Sequence, residues 1–176
     1  MTKRKWVVLA VSSLLLGCGP KEEAAQQSSP VSVNTETPPR YAVNLKADVA
    51  GYYVPATDVQ HQNWRLKHIA FKDDVALRHW MMTNDRTAQI APVLLVFEDM
   101  EEGTQNPSGN RRTLTLVPAG FGLSDKKVSI QAISAGLGHV TFDGRWVTEG
   151  RALQGDLKIG TQSFENITLN TKTGSR

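Results

Sequence analysis

The chain has 176 residues, 40% of them hydrophobic and 21% charged, which suits one water-soluble domain with appendages and excludes both a polytopic membrane protein and a wholly disordered chain. Its formal charge of +3 comes from Lys3, Arg4 and Lys5 alone, because residues 1–17 hold no acid and the remainder carries seventeen bases against seventeen acids. A neutral remainder has no uniform basic face with which to displace counterions from a phosphate polymer, so nucleic acid is not an expected partner.

The basic start Lys3-Arg4-Lys5 is followed by an apolar run from Trp6 to Leu16, broken only by Ser12 and Ser13, and then by Gly17-Cys18. The run is too short to cross a bilayer, which takes about 20 apolar residues in a helix. A short apolar segment between a basic start and small residues is what a secretory leader requires. Leu15-Leu16-Gly17-Cys18 resembles the lipobox of bacterial lipoproteins, with the only cysteine of the chain at the position that class requires. The resemblance ends there, and no specific family is recognised for residues 41–176. It implies that residues 1–17 are a signal peptide cut between Gly17 and Cys18, that the Cys18 thiol carries diacylglycerol, and that the new amino group is acylated as well. Each CH₂ of such chains contributes about 0.8 kcal/mol when buried, so two or three chains hold a protein on a membrane. Inner-membrane lipoproteins of enteric bacteria carry Asp where this chain has Gly19, which makes the outer membrane the expected address, with the domain facing the periplasm. Once Cys18 is lipidated no disulfide is possible, so the fold depends on its core.

Residues 18–40 comprise the lipidated cysteine and a polar stretch containing Pro20, Pro30, Pro38 and Pro39, which lacks the apolar side chains to order itself and predicts a flexible tether. Residues 41–176 are enough for one domain with its own core. Tyr41 to Val49 alternates apolar and polar side chains and predicts a strand; Gly51 and Pro55 bound the stretch after it. Trp64 to Phe71 predicts a strand whose alternation slips around His68-Ile69. Asp73-Asp74 offers an N-cap, and Val75, Leu77, Trp80 and Met81 recur at helical spacing, predicting one short helix over about residues 73–82.

Pro92 to Phe97 is a continuous apolar run of the kind expected of a strand buried on both faces, and a polar loop from Glu98 to Asn110 follows. Beyond it the texture is β throughout, with strands predicted at Thr113–Val117, Lys127–Ala132, His139–Phe142, Arg145–Thr148, Leu153–Ile159 and Phe164–Leu169. Asp143-Gly144 is a residue pair favoured in type I′ turns, which predicts a hairpin there. The sum is a mainly β domain, an antiparallel sandwich or small barrel with one short helix.

Little in the domain points to chemistry. His61, His68, His79 and His139 show no metal-ligand spacing, so no metal or other cofactor is expected. The acids between Glu98 and Glu102 lack the alternation of a calcium loop. Ser134 and His139 invite comparison with a catalytic dyad, but no third group can be named. Gly120-Phe121-Gly122 and Gly136-Leu137-Gly138 lack the strand-to-helix context of a phosphate loop and predict turns or bulges. Tyr52, Tyr53 and Trp64 are the candidate ligand-binding residues, because aromatic rings dominate recognition surfaces as well as cores. The expectation is therefore a non-enzymatic lipoprotein held by membrane lipid through Cys18, whose β-domain binds or supports another envelope component, a protein by preference. The alternative is an immunity or inhibitor lipoprotein that neutralises a toxin or hydrolase directed at the periplasm.

Overall fold

A computed structural model describes residues 40–83, 85–101, 103, 105, 109–147 and 151–172. They belong to one compact unit spanning Thr37–Arg176. The leader, the lipobox and most of the tether lie outside the described residues.

The chain forms β1 (Tyr41–Asn44), β2 (Gly51–Pro55), β3 (Gln60–His61), β4 (Trp64–Phe71), α1 (Asp74–Met82), β5 (Val93–Asp99), β6 (Thr113–Leu116), β7 (Gly120–Ser124), β8 (Val128–Ser134), β9 (Gly138–Val147), β10 (Ala152–Ile159) and β11 (Gln162–Lys172). One sheet runs in the order β1-β7-β8-β9-β10-β11-β2-β4-β5-β6, with β3 paired to β4. It curls into an open half-barrel, consistent with the sandwich or small barrel expected. Every pair is antiparallel except β1 with β7, which is parallel.

The core follows from period-two patterning. Phe121 and Leu123 of β7, Val128, Ile130 and Ala132 of β8, Val140 and Phe142 of β9, Leu153, Leu157 and Ile159 of β10, and Val93, Leu95 and Phe97 of β5 all point inward and are buried. The slip in β4 is a bulge between Leu66 and His68, which restores the inward positions of Ile69 and Phe71 after Leu66. β5 is buried on both faces at Val96 as well as at its inward residues, as its unbroken apolar run predicts.

The helix forms where expected, with Asp73 as N-cap: its carboxylate accepts from the Ala76 amide at 2.9 Å. Its buried face is narrower than the sequence predicts. Leu77 and Trp80 enter the core, whereas Val75 and Met81 are exposed, because α1 packs over the edge of the sheet and only one narrow stripe meets protein. The Trp80 ring meets Tyr41 of β1 edge-on at 5.8 Å. Arg86 then closes the helix C-terminus. Its Nη1 donates to the carbonyls of Trp80, Thr83 and Asp85, and its guanidinium lies 4.5 Å from the Trp80 ring centroid.

Three other expectations need correction. The strand predicted over Tyr41–Val49 stops at Asn44, because the Lys46 amide bonds to Asp125 and Asp48 accepts from the Ala50 amide, turning the chain away. Gly120-Phe121-Gly122 is not a turn but the start of β7, where a Cβ at Gly120 would sit 2.8 Å from the Arg40 carbonyl oxygen. Asp143-Gly144 is not a hairpin turn: it lies inside the continuous strand β9, and Gly144 is absent from the left-handed region. Gly144 stands directly opposite Gly155 of β10. A Cβ on Gly155 would fall 2.3 Å from the Asp143 carbonyl oxygen and 2.5 Å from the Gly144 Cα; one on Gly144 would fall 2.6 Å from the Gln154 carbonyl oxygen. Close backbone approach, not a turn, selects both glycines.

Asparagine separates these two requirements, since it tolerates positive φ but carries a Cβ. Gly160 of the β10–β11 turn has φ of 57° and room for a Cβ, whose nearest neighbour would be 3.6 Å away. Gly160→Asn is therefore expected to change stability by less than about 1 kcal/mol, while Gly144→Asn costs about 1–3 kcal/mol through overpacking. Urea midpoints of the two variants check the difference.

Candidate functional site

The three candidate aromatics do not share a surface. Tyr53 is fully buried, donates its hydroxyl to the Val49 carbonyl at 2.9 Å and packs against Phe71 and Trp146, so it presents no atom to a ligand. Burial, with a smaller contribution from Asp48, pushes its phenol up to about 12. Trp64 faces the core side of β4 beneath the Arg112 guanidinium, 5.4 Å from its ring centroid. Tyr52 alone is open: it lies on the outer face, 54% exposed, edge-on to His68 at 5.0 Å.

Strand pairing builds a continuous outer face around Tyr52. Directly opposed residues share a face, which places Tyr52, Ala70 and Leu94 in one row, and His68, Val96 and Thr115 in the next. Burial, then the charge of Lys67, holds the His68 imidazole below its ordinary range, and Glu98 opposes them weakly. The next row is charged. Arg65 opposes Glu98 and donates to its Oε1 through both Nε, at 2.8 Å, and Nη2. Asp58 Oδ1 stands 4.0 Å from the same Nε.

A cleft of about 450 Å³ opens beside this row, lined by residues of β2 and β4 including Val54, Pro55, Arg65 and Lys67. Its origin is covalent. The Ala56 amide bonds to the Thr168 carbonyl on the β11 side, so by alternation the nitrogen of Pro55 faces β4, where it has no hydrogen to donate. Pairing of β2 with β4 accordingly ends at Tyr53 and Ile69, and the strands splay apart from there. Pro55 carries this consequence in the sequence, but only once its neighbours on both sides are known.

At the far end of β4 and β5 stands Asp99, the one charged residue buried among those described, at 1% exposure. Its Oδ1 accepts from the Glu101 amide at 3.0 Å, and its Oδ2 from Arg112 Nη2 at 2.6 Å. Its own amide donates to the Arg112 carbonyl, and Arg111 donates to the Asp99 carbonyl. These contacts tie the two ends of the loop after β5, which begins past Asp99 and not at Glu98 as the sequence predicts, because both acids pair with β4; part of the loop lies outside the described residues. Its period-two spacing with Val93, Leu95 and Phe97 already points Asp99 inward.

Other sequence candidates have local roles. Ser134 Oγ accepts from the amides of Gly136 and Leu137 and orders the β8–β9 turn. His61 Nδ1 lies 2.7 Å from Gln162 Oε1, and His79 and His139 are exposed on α1 and β9. Among the described residues no group of three or more His, Cys, Asp or Glu side chains could hold a metal ion, and no helix is long and apolar enough to cross a membrane. No protein-family model, curated protein sequence or solved structure matches the chain.

The Glu101 amide is the main reason that the Asp99 carboxyl lies below the usual carboxylate range; the charges of Arg112 and Arg111 act the same way, and burial opposes them. A depressed folded-state value means that the stabilisation is complete above the unfolded value of about 4 and is lost as pH falls through the folded one. Asp99→Asn is expected to lower Tm at pH 7, with the gap from wild type narrowing below about pH 4. Thermal melts from pH 7 to pH 2 check this, and a gap that stays constant across the range contradicts it.

Proposed function

We propose that the protein is a non-enzymatic outer-membrane lipoprotein, anchored through Cys18 after removal of residues 1–17, whose β-domain faces the periplasm and binds another protein of the cell envelope. The outer face of β2, β4 and β5 is the surface that binds. One juxtaposition supports this function: an exposed aromatic, Tyr52, sits beside half-buried Leu94 and His68 near an open cleft with charged walls. Apolar centres ringed by polar groups are how non-obligate interfaces are built, and exposed aromatics are their common anchors. Glu98, a carboxylate of the cleft wall, is held by Arg65, which suits a charged binding surface.

Anchoring and docking are tested separately. Cys18→Ser is expected to move most of the protein from the membrane pellet to the soluble fraction; a variant that still sediments after a high-salt wash refutes attachment through Cys18. Docking is tested with a photo-crosslinking side chain at position 52 in intact envelopes, and one at exposed Lys158 on β10 as control. A discrete adduct at 52 and none at 158 is the expected result. No adduct at 52 refutes the docking face, and an adduct with a secreted hydrolase or toxin replaces the assembly role with the immunity or inhibitor role.

A further inference from the structure

We propose that the outer face of α1 rests on the lipid surface to which Cys18 is attached, so that the domain lies against the membrane instead of hanging free of it. The contact presupposes the lipid anchor proposed above but not the docking face on β2, β4 and β5.

Three features of α1 point to lipid. First, its solvent side carries large apolar side chains among the polar Asp74, Arg78 and His79: Val75 is 68% exposed and Met82 88%, one above the other at i and i+7, with Met81 on the flank at 45%. Leu77 and Trp80 occupy the opposite side, so burial of the helix in its own domain does not account for Val75 or Met82.

Second, the chain leaves the domain beside this helix. The Arg40 carbonyl is pinned by the Phe121 amide at 2.9 Å, and the next residue, Tyr41, touches Trp80 of α1 and lies under the Arg86 guanidinium that caps the helix. The segment between lipid and domain is Gly19 to Arg40, 22 residues. Even fully extended, that number of residues reaches no further than about 75 Å. That length keeps the domain near the surface while leaving it free to lie down. Tethering raises the effective concentration of α1 at the lipid, so a weak apolar contact is enough to be populated.

Third, the charges select the kind of contact. Between Lys72 and Arg86 the basic residues Lys72, Arg78 and Arg86 are matched by Asp73, Asp74 and Asp85, and Arg78 is bound within the helix to Asp74. The segment has no net charge with which to seek anionic headgroups. Attraction therefore comes from the valine and methionine side chains entering the interfacial region, and a zwitterionic lipid surface satisfies it.

The test uses the mature, lipidated full chain with ¹³C-labelled methionine methyl groups, in bicelles of phosphatidylcholine carrying a spin label on the acyl chain. The mature protein holds three methionines, and half-buried Met100, at the end of β5, is the internal control. The Met82 methyl signal is expected to lose most of its intensity while Met100 keeps its own, with the difference surviving 0.5–1 M salt, roughly the range that suppresses surface electrostatics. Replacing both Val75 and Met82 with Gln, at positions too exposed to disturb the core, is expected to restore the Met81 methyl to the intensity of Met100. Equal losses at Met82 and Met100, or a contact that forms only when anionic lipid is added, overturns the proposal. Co-sedimentation with phosphatidylcholine vesicles keeps the two ideas apart. Protein that pellets but shows equal methyl intensities loses the helix contact alone, whereas lipidated protein that does not pellet loses the anchor and the contact with it.

Discussion

The architecture depends on the close approach of β9 and β10 at Gly144 and Gly155. Backbone hydrogen bonds set the spacing of paired strands; here the atoms around both glycines leave no room for a Cβ on either partner. The sheet can bend sharply at that point, and the next strand bends with it. Between β10 and β11 the register shifts from Gly155 to Leu157, and Asn166 takes a φ of 53° with its amide held by Asp156 at 2.7 Å. A glycine pair followed by a bulge is the device that turns an open meander into a barrel corner. Without it the inward rows of β8, β9 and β10 would not face those of β2, β4 and β5 across one core.

A half-barrel leaves edges, and this domain manages them with few parts. β1 is four residues long and its partner strand is parallel, so it offers little to a foreign strand. α1 lies over it, secured by Trp80 on Tyr41 and by Arg86 on both rings. The arrangement has a cost: the Trp80 indole Nε1 is buried without a hydrogen-bond partner. An orphaned buried donor costs about 1–3 kcal/mol. Burying the ring contributes about as much or more, and the edge-on contact with Tyr41 adds to it. Within the sheet Pro55 ends the pairing of β2 with β4, and a cleft opens there.

Polar groups inside the domain follow the same economy. Asp99 is buried because alternation along β5 sends it inward, and it remains charged because an amide and a guanidinium meet its two oxygens. Tyr53 reaches the core by the same alternation and satisfies its hydroxyl on a backbone carbonyl four residues away. By sequence Asp99 falls in a predicted loop and Tyr53 among candidate ligand-binding aromatics; their places in β5 and β2 emerge only with the strand pairing. Aromatic character alone grouped Tyr52, Tyr53 and Trp64, although adjacency along a strand guarantees that Tyr52 and Tyr53 face opposite sides of the sheet.

Sequence alone determined what depends on neighbours within a turn or a strand: the class of the fold, the Asp73 cap, the slip in β4 that proves to be a bulge, and the double-sided burial of β5. Tertiary structure decided everything that depends on which backbones meet. Asp143-Gly144 obeys the local rule for a turn, yet Gly155 stands across from it and makes the glycine serve a strand. Val75 and Met81 obey the helical rule for a core face, yet only Leu77 and Trp80 find protein there. Local preferences amount to about 1 kcal/mol per residue or less, whereas overpacking a backbone crossing costs about 1–3 kcal/mol and fully burying a large apolar side chain contributes about 1.5–3 kcal/mol. Where the two disagree the long-range term wins, and the partner that supplies it lies many residues away in the chain.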